Sequence, residues 1–305
     1  MSLSEDSKQQ TAASLPPEPY PLSRYDRQCI RAKKQPFFEE KPMSETAAAC
    51  AWQDFRHPLL GRFTPQGSFE FMKLLGFGLD GAVWKVRIDS KTYALKVFWH
   101  AKAPEGSDYW ALQRECHNAA LIAKMRFAIE NSSDPIWLNP NPKTFDDAVS
   151  NLHAFSTEGR SKARFRDMPG AVEYRTAPRL RECYGWTSIS GQELWALPRR
   201  MQPPEYKVDR QGQEVRYIFP TEEYRAIVYE YVPSSKTGLD AEVVQAQLDF
   251  FWLGGWCMVP MRIENWGGAG ILLDMADAIC FCHVEWHEIE YWRTKARDVM
   301  ENLEF

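Results

Sequence analysis

A two-lobed α+β fold is what this sequence predicts, on three observations. They are a glycine-punctuated hairpin over residues 75–86, a lysine inside the next strand at Lys96, and a glutamate on the following amphipathic stretch at Glu115. With 305 residues, 44% of them hydrophobic, the chain can bury a sizeable core in one large domain or two lobes. A net charge of -4 gives no general pull toward nucleic acid or an anionic membrane. Seven cysteines without paired framework spacing, and no signal-peptide pattern at the start, predict free thiols in a reducing compartment. The longest uncharged apolar run, Phe250–Met261, is broken by Gly254-Gly255 and is too short to span a bilayer.

The elements follow in order. Residues 1–66 carry Pro16-Pro17, Pro19, Pro21 and the basic run Arg31–Lys34 with little periodicity, and read as a disordered tail with a short docking segment over Trp52–Leu60. From Gly67 onward apolar residues alternate, predicting strands over 69–75, 81–88 and 92–98 in a meander turned at Asp89-Ser90. A helix over 108–129 places Leu112, Cys116, Ala119 and Ala123 on one stripe, with Glu115 beside it. Residues 131–175 read as an insertion rich in Asn, Pro and Arg, with one short helix over Thr144–Ala154. Strands over 179–190 and 226–232, around a polar excursion at 203–213, complete a five-stranded antiparallel sheet and a first lobe of residues 67–233. Asp240 N-caps a helix that stops at Gly254 and buries Val244, Leu248, Phe251 and Trp252, opening a truncated helical second lobe over 234–305.

The chemistry concentrates in the first lobe. Gly76, Gly78 and Gly81 let backbone amides approach phosphates, and Val83 covers a base from above. A dinucleotide-binding turn uses similar glycines but is followed by a helix, whereas here two strands follow. The order of parts is that of a protein-kinase-like fold. In that fold a strand lysine (Lys96) neutralises the α- and β-phosphates, a helix glutamate (Glu115) holds it, and a strand such as Ile227–Pro233 enters a hinge.

The second lobe should supply a catalytic aspartate, an asparagine five residues later and a metal-binding aspartate. Asn265 and Asp274 fit the last two as Mg²⁺ ligands beside ATP. Five residues before Asn265 stands Pro260, which accepts no proton, so no catalytic base is assigned. Glu264 is the one substitute carboxylate weighed, but it adjoins Asn265 and needs a rebuilt loop. Only 31 residues follow Asp274, too few for a peptide-substrate platform.

With these residues in hand, the chain resembles the fungal Fta-two kinetochore domain family, named for a subunit of the inner-kinetochore Sim-four complex. The matching stretches are Gly67–Phe98, Tyr109–Asn118, Asn139–Phe145, Tyr184-Gly185-Trp186, Gln247–Trp252 and Glu264–Asp277. The resemblance implies a remote relative of protein kinases that works in the nucleus, at centromeres, among protein subunits of a larger assembly, without direct nucleic-acid or membrane contact.

Three other signals have bland explanations. Cys280-Phe281-Cys282-His283 with His287 offers zinc ligands, and His283 and His287 share a face of a helix, but the spacing fits no standard closed site. The apolar neighbours Ile279, Phe281 and Trp286 argue for a packing helix with inert thiols. The cations Arg160, Lys162, Arg164 and Arg166 read as a solvated loop. Trp252, Trp256, Trp266, Trp286 and Trp292 read mainly as core, with one or two left for a partner surface. The function expected is a catalytically impaired, nucleotide-sensing or scaffolding subunit, a pseudokinase. The alternatives are a small-molecule phosphotransferase using ATP and Mg²⁺, and an interaction module whose glycine loop is a fossil of ancestry.

Overall fold

Asp89 and Ser90 both adopt positive φ, 45° and 69°, and so form the tight turn whose twist matches the strands on either side. The computed structural model in which this turn is seen describes residues 24–104, 109–203, 218–233, 238–258 and 262–301. The chain opens with α1 (Arg24–Lys33), β1 (Phe38–Pro42), α2 (Met43–Ala48), α3 (Trp52–Arg56) and β2 (Leu60–Arg62). The meander β3 (Glu70–Phe77), β4 (Gly81–Ile88) and β5 (Lys91–Phe98) leads to the long α4 (Ala111–Glu130). Next come β6 (Ile136–Leu138), α5 (Phe145–His153), α6 (Thr157–Lys162), β7 (Val172–Tyr174), β8 (Cys183–Ser190), α7 (Gly191–Trp195) and β9 (Glu223–Glu230). The remainder holds α8 (Ala241–Leu253), the short strands β10 (Cys257–Met258), β11 (Trp266–Gly267), β12 (Ile271–Leu272) and β13 (Ala278–Ile279), and α9 (Ala296–Met300).

The main sheet has seven strands in the order β1-β2-β8-β9-β5-β4-β3, not the five expected. β1 pairs with β2 and β2 with β8 in parallel, while the other neighbours are antiparallel, so the sheet is mixed. The two extra strands come from residues assigned to the tail. Their reason is the free edge of β8, which an added strand covers, together with apolar side chains too scattered to show a period. Phe37 and Leu60 join the core between sheet and α4, Phe55 is fully buried in the C-terminal core, and Trp186 Nε1 donates to Glu39 O at 2.8 Å. Lys124 of α4, itself buried, donates to Ala49 O at 2.8 Å and to Thr46 O, so it closes the C-terminal end of α2. Residues 1–23 lie outside the described residues.

One face of the sheet buries Trp84, Val86, Leu95 and Val97 in an outer cluster, and the other packs Ala94, Phe98 and Ile227 on Leu112, Cys116 and Ala119 of α4. The insertion folds as the β6–β7 pair with α5 and α6. Thr144 Oγ1 accepts from Asp147 N at 3.1 Å and starts α5 where its capping residues stand. α8 begins at Asp240, whose Oδ1 accepts from Glu242 N at 2.9 Å, and it buries Val244, Leu248, Phe251 and Trp252.

Between α8 and α9 the chain forms a hairpin of β11 with β12 and a pair of β10 with β13. Residues 281–287 are turns and not a helix, so His283 and His287 share no helical face. Cys280 and Cys282 are joined as a disulfide instead of standing as free thiols. The cation run starts on α6, which holds Arg160 and Lys162, and continues past it with Arg164 and Arg166: Arg160 donates to Ala128 O at 3.3 Å and Arg164 to Ser150 Oγ at 3.0 Å. Four of the five C-terminal tryptophans are buried, and Trp292 is exposed. No helix among the described residues is long and apolar enough to cross a membrane.

Candidate functional site

Strand alternation decides where Lys96 points. Ala94, Lys96 and Phe98 face α4 while Tyr93, Leu95 and Val97 face the outer cluster, and Lys96 is 5% exposed. On α4, Glu115 shares the sheet-facing side with Leu112, Cys116 and Ala119 and is completely buried. The two meet in an ion pair between Lys96 Nζ and Glu115 Oε1. The same ammonium lies 3.1 Å from both Oδ1 and Oδ2 of Asp274. Tyr229 of β9 donates its hydroxyl to Glu115 Oε2 at 3.0 Å. Sheet, helix and C-terminal segment therefore converge on one cation.

The segment around Asp274 is tied to α4 at every turn. Asp274 Oδ1 accepts from Ala276 N at 2.9 Å, and Arg114 donates to Ala276 O at 3.1 Å. Asn118 donates to Met275 O at 3.1 Å and Ala278 O at 2.8 Å while accepting from Trp256 Nε1 at 2.8 Å. On the other side Arg181 donates to Leu273 O at 2.6 Å and Glu230 O at 3.1 Å, with its guanidinium over the Tyr229 ring.

Burial pushes the Glu115 carboxyl up to about 7 against the pull of Lys96. Burial also opposes the Lys96 charge, but Glu115 and Asp274 together hold its ammonium above the ordinary range. Asp274 is held below the ordinary carboxylate range: desolvation raises it, and Lys96, the Ala276 amide and Arg181 outweigh that. Asp277 is pushed up by burial and by Asp274.

The predicted phosphate-binding hairpin lies at the β3–β4 turn. A Cβ on Gly76 or Gly78 meets nothing within 4 Å, so neither glycine is demanded by its protein neighbours and both leave room for a ligand. Gly81 differs: a Cβ there falls 2.0 Å from Val97 O, so close strand packing requires it. Gly78 N donates to Gly81 O at 2.9 Å, Trp99 Nε1 donates to Gly78 O at 3.0 Å, and Tyr109 donates its hydroxyl to Asp80 Oδ2 at 2.9 Å. The hairpin is thus latched to the chain that leads into α4. Val83 packs on the same face as Ala94, and the next residue on that face of β4, Lys85, sets its ammonium over the Tyr231 ring.

Asn265 and Asp274 are not joined as the predicted metal pair. The backbone brings them close, since Leu273 N donates to Asn265 O at 2.7 Å, but the Asn265 side chain donates to Asp277 Oδ2 at 2.9 Å. Glu264 is exposed on the turn of residues 263–265, and Pro260 lies outside the described residues. The sequence reading missed Tyr229, Arg181, Asn118 and Asp277. Asn118 could have been found, because it stands three residues after Glu115 on one helix face. Arg181 carries no local pattern that marks it. A cavity of about 450 Å³ lies behind this network, lined by Ala119, Ala123, Arg181, Tyr229, Leu273 and Met275, and not by the glycine hairpin or Lys96.

Of the proposed zinc ligands, Cys282 and His283 come together with His117 of α4, and His287 is not in that group.

A profile of the family described as Kinetochore Sim4 complex subunit FTA2 matches residues 43–252, more than half of the chain. No curated protein matches the chain. No solved structure matches it either.

Proposed function

The chain belongs to the kinetochore Sim4 complex subunit FTA2 family, and we propose that it is a protein-binding subunit of a kinetochore assembly with a nucleotide cleft that does not transfer phosphate. Membership implies a multi-subunit partner and a nuclear, chromosomal location. The finer reading rests on one observation, the contact of Lys96 with Glu115 and Asp274 at once. A strand lysine held by a helix glutamate and facing a metal-ligating carboxylate is how protein-kinase-like folds grip the α- and β-phosphates and Mg²⁺ of ATP. Gly76 and Gly78 supply the open backbone above that grip, and Val83 with Ala94 supplies an apolar lid for the base.

Mg²⁺ in this reading is held by Asp274, with Asp277 and Asn265 beside it. Transfer lacks a base at residue 260, and the exposed Glu264 has no place in the network. The cleft then serves as a sensor, in which bound nucleotide bridges the sheet to the segment after Asp274 and shifts the equilibrium of the partner surface.

The test is thermal unfolding of the full chain with and without ATP and Mg²⁺. Ligand at 100 times its Kd stabilises by about 2.7 kcal/mol. The reading expects a rise in Tm that disappears in both Lys96→Ala and Asp274→Ala. No rise at any ATP concentration leaves a scaffold with a vestigial loop. One feature favours a small-molecule phosphotransferase as the second reading: Asp277, with its raised carboxyl and its bond to Asn265, is a carboxylate beside the metal position. ATP turnover that Asp277→Asn abolishes and Glu264→Gln does not would select it.

A further inference from the structure

His117 on α4 and Cys282 and His283 in the loop after β13 bring two imidazole nitrogens and a sulfur within 4.8 Å of one another. Cys280 Sγ is bonded to Cys282 Sγ, so a second sulfur adjoins the group. His117 Nδ1 and His283 Nε2 are buried and have no hydrogen-bond partner among the described residues, and the His117 residue is only 6% exposed. A buried polar atom left unpaired is costly, and two of them side by side require an explanation. The rings lie 5.1 Å apart at 46°, and the Phe37 ring closes one side of His117 at 6.2 Å. Arg114 is engaged by Glu285 at 2.8 Å. Burial holds both imidazoles in the neutral form, His117 down to about 4 and His283 well below its ordinary value. The neutral ring is the form that ligates metal.

We infer that Cys280, Cys282, His283 and His117 form a two-cysteine, two-histidine zinc site that staples the loop after β13 onto α4. Two thiolates and two imidazoles are the donor set of closed structural zinc sites, and the soft sulfurs disfavour magnesium or calcium. The sequence alone could not show this, because the fourth ligand is His117 on a remote helix and not His287. Its position two residues after Glu115 gives the site a use: it fixes the turn of α4 that carries the glutamate.

Zinc needs the reduced pair. Two molecules of a small thiol reduce the Cys280–Cys282 bond and leave as their own disulfide, two cysteine thiols form, and each releases its proton on meeting Zn²⁺. The reducing nuclear interior implied by the family suits that form.

The test uses the full chain purified under thiol reductant, with zinc measured by elemental mass spectrometry and Co²⁺ added to the stripped protein. Expected are about one zinc per chain and a cobalt spectrum with tetrahedral d–d bands and thiolate charge transfer. Cys282→Ser and His117→Asn should each lose the metal, whereas His287→Asn should keep it. A fold-independent check is His283→Cys, which should keep cobalt and intensify the thiolate band. Reduced wild type that takes up neither Zn²⁺ nor Co²⁺, an octahedral cobalt spectrum, or unchanged metal content in Cys282→Ser would overturn the site.

Discussion

Lys96 Nζ stands 3.1 Å from both carboxylate oxygens of Asp274, although 178 residues separate the two in sequence. The contact joins the sheet to the C-terminal segment across the same point at which Glu115 joins the sheet to α4. Charge at this junction therefore bears on the stability of the fold.

Replacing Lys96 by methionine leaves Glu115 buried without its cation, a change that costs about 3–5 kcal/mol when one partner of a buried pair is removed. Lys96→Met with Glu115→Gln should cost less than Lys96→Met alone, because the amide carries no uncompensated charge. Urea unfolding of the three variants measures this, and equal midpoints for the single and double variants would refute it.

The Asp274 carboxyl is depressed in the folded state, so its contribution to stability is present above its ordinary 3.8 and is lost as pH falls through the folded value. Wild type and Asp274→Asn should therefore differ most in Tm near neutral pH and converge as acid is added below about pH 4. A difference that stays constant down to pH 2 would show that the carboxylate charge contributes nothing.

The three glycines of the hairpin should separate on substitution by alanine. Gly81→Ala drives a methyl into Val97 O and should cost about 1–3 kcal/mol, as overpacking does. Gly76→Ala and Gly78→Ala meet open space and should leave unfolding nearly unchanged while weakening any ATP-dependent rise in Tm. Chemical denaturation with and without nucleotide distinguishes them.

Phe55 is fully buried in the C-terminal core although it lies in the segment read as tail. Phe55→Ala should cost about 3–5 kcal/mol, like other large core truncations. A loss below 1 kcal/mol would mean that residues 43–62 are dispensable to the fold, contrary to the pairing of β2 with β8.

Local patterns account for what could be read in advance. The Asp89-Ser90 turn, the alternation that turns Lys96 toward α4, the apolar stripe with Glu115 beside it and the Asp240 cap all act over short stretches of chain, and each is where its pattern predicts. Partners distant in sequence carry no such signature. Tyr229 on Glu115, Arg181 on the Leu273 and Glu230 carbonyls, and His117 beside Cys282 exist because separate elements pack together. The helical face that His283 and His287 were expected to share is absent, because the chain turns there.

By itself the sequence determined the strands around the glycine hairpin, the helix that faces them and the chemical character of Lys96, Glu115 and Asp274, because backbone periodicity and side-chain chemistry are local properties. The tertiary structure alone decided that the edge of β8 takes two strands from the N-terminal segment, that Asn265 bonds Asp277, and that His117 meets Cys282 and His283. Those outcomes depend on which apolar faces and unpaired polar groups are left after packing, a balance struck over the whole chain.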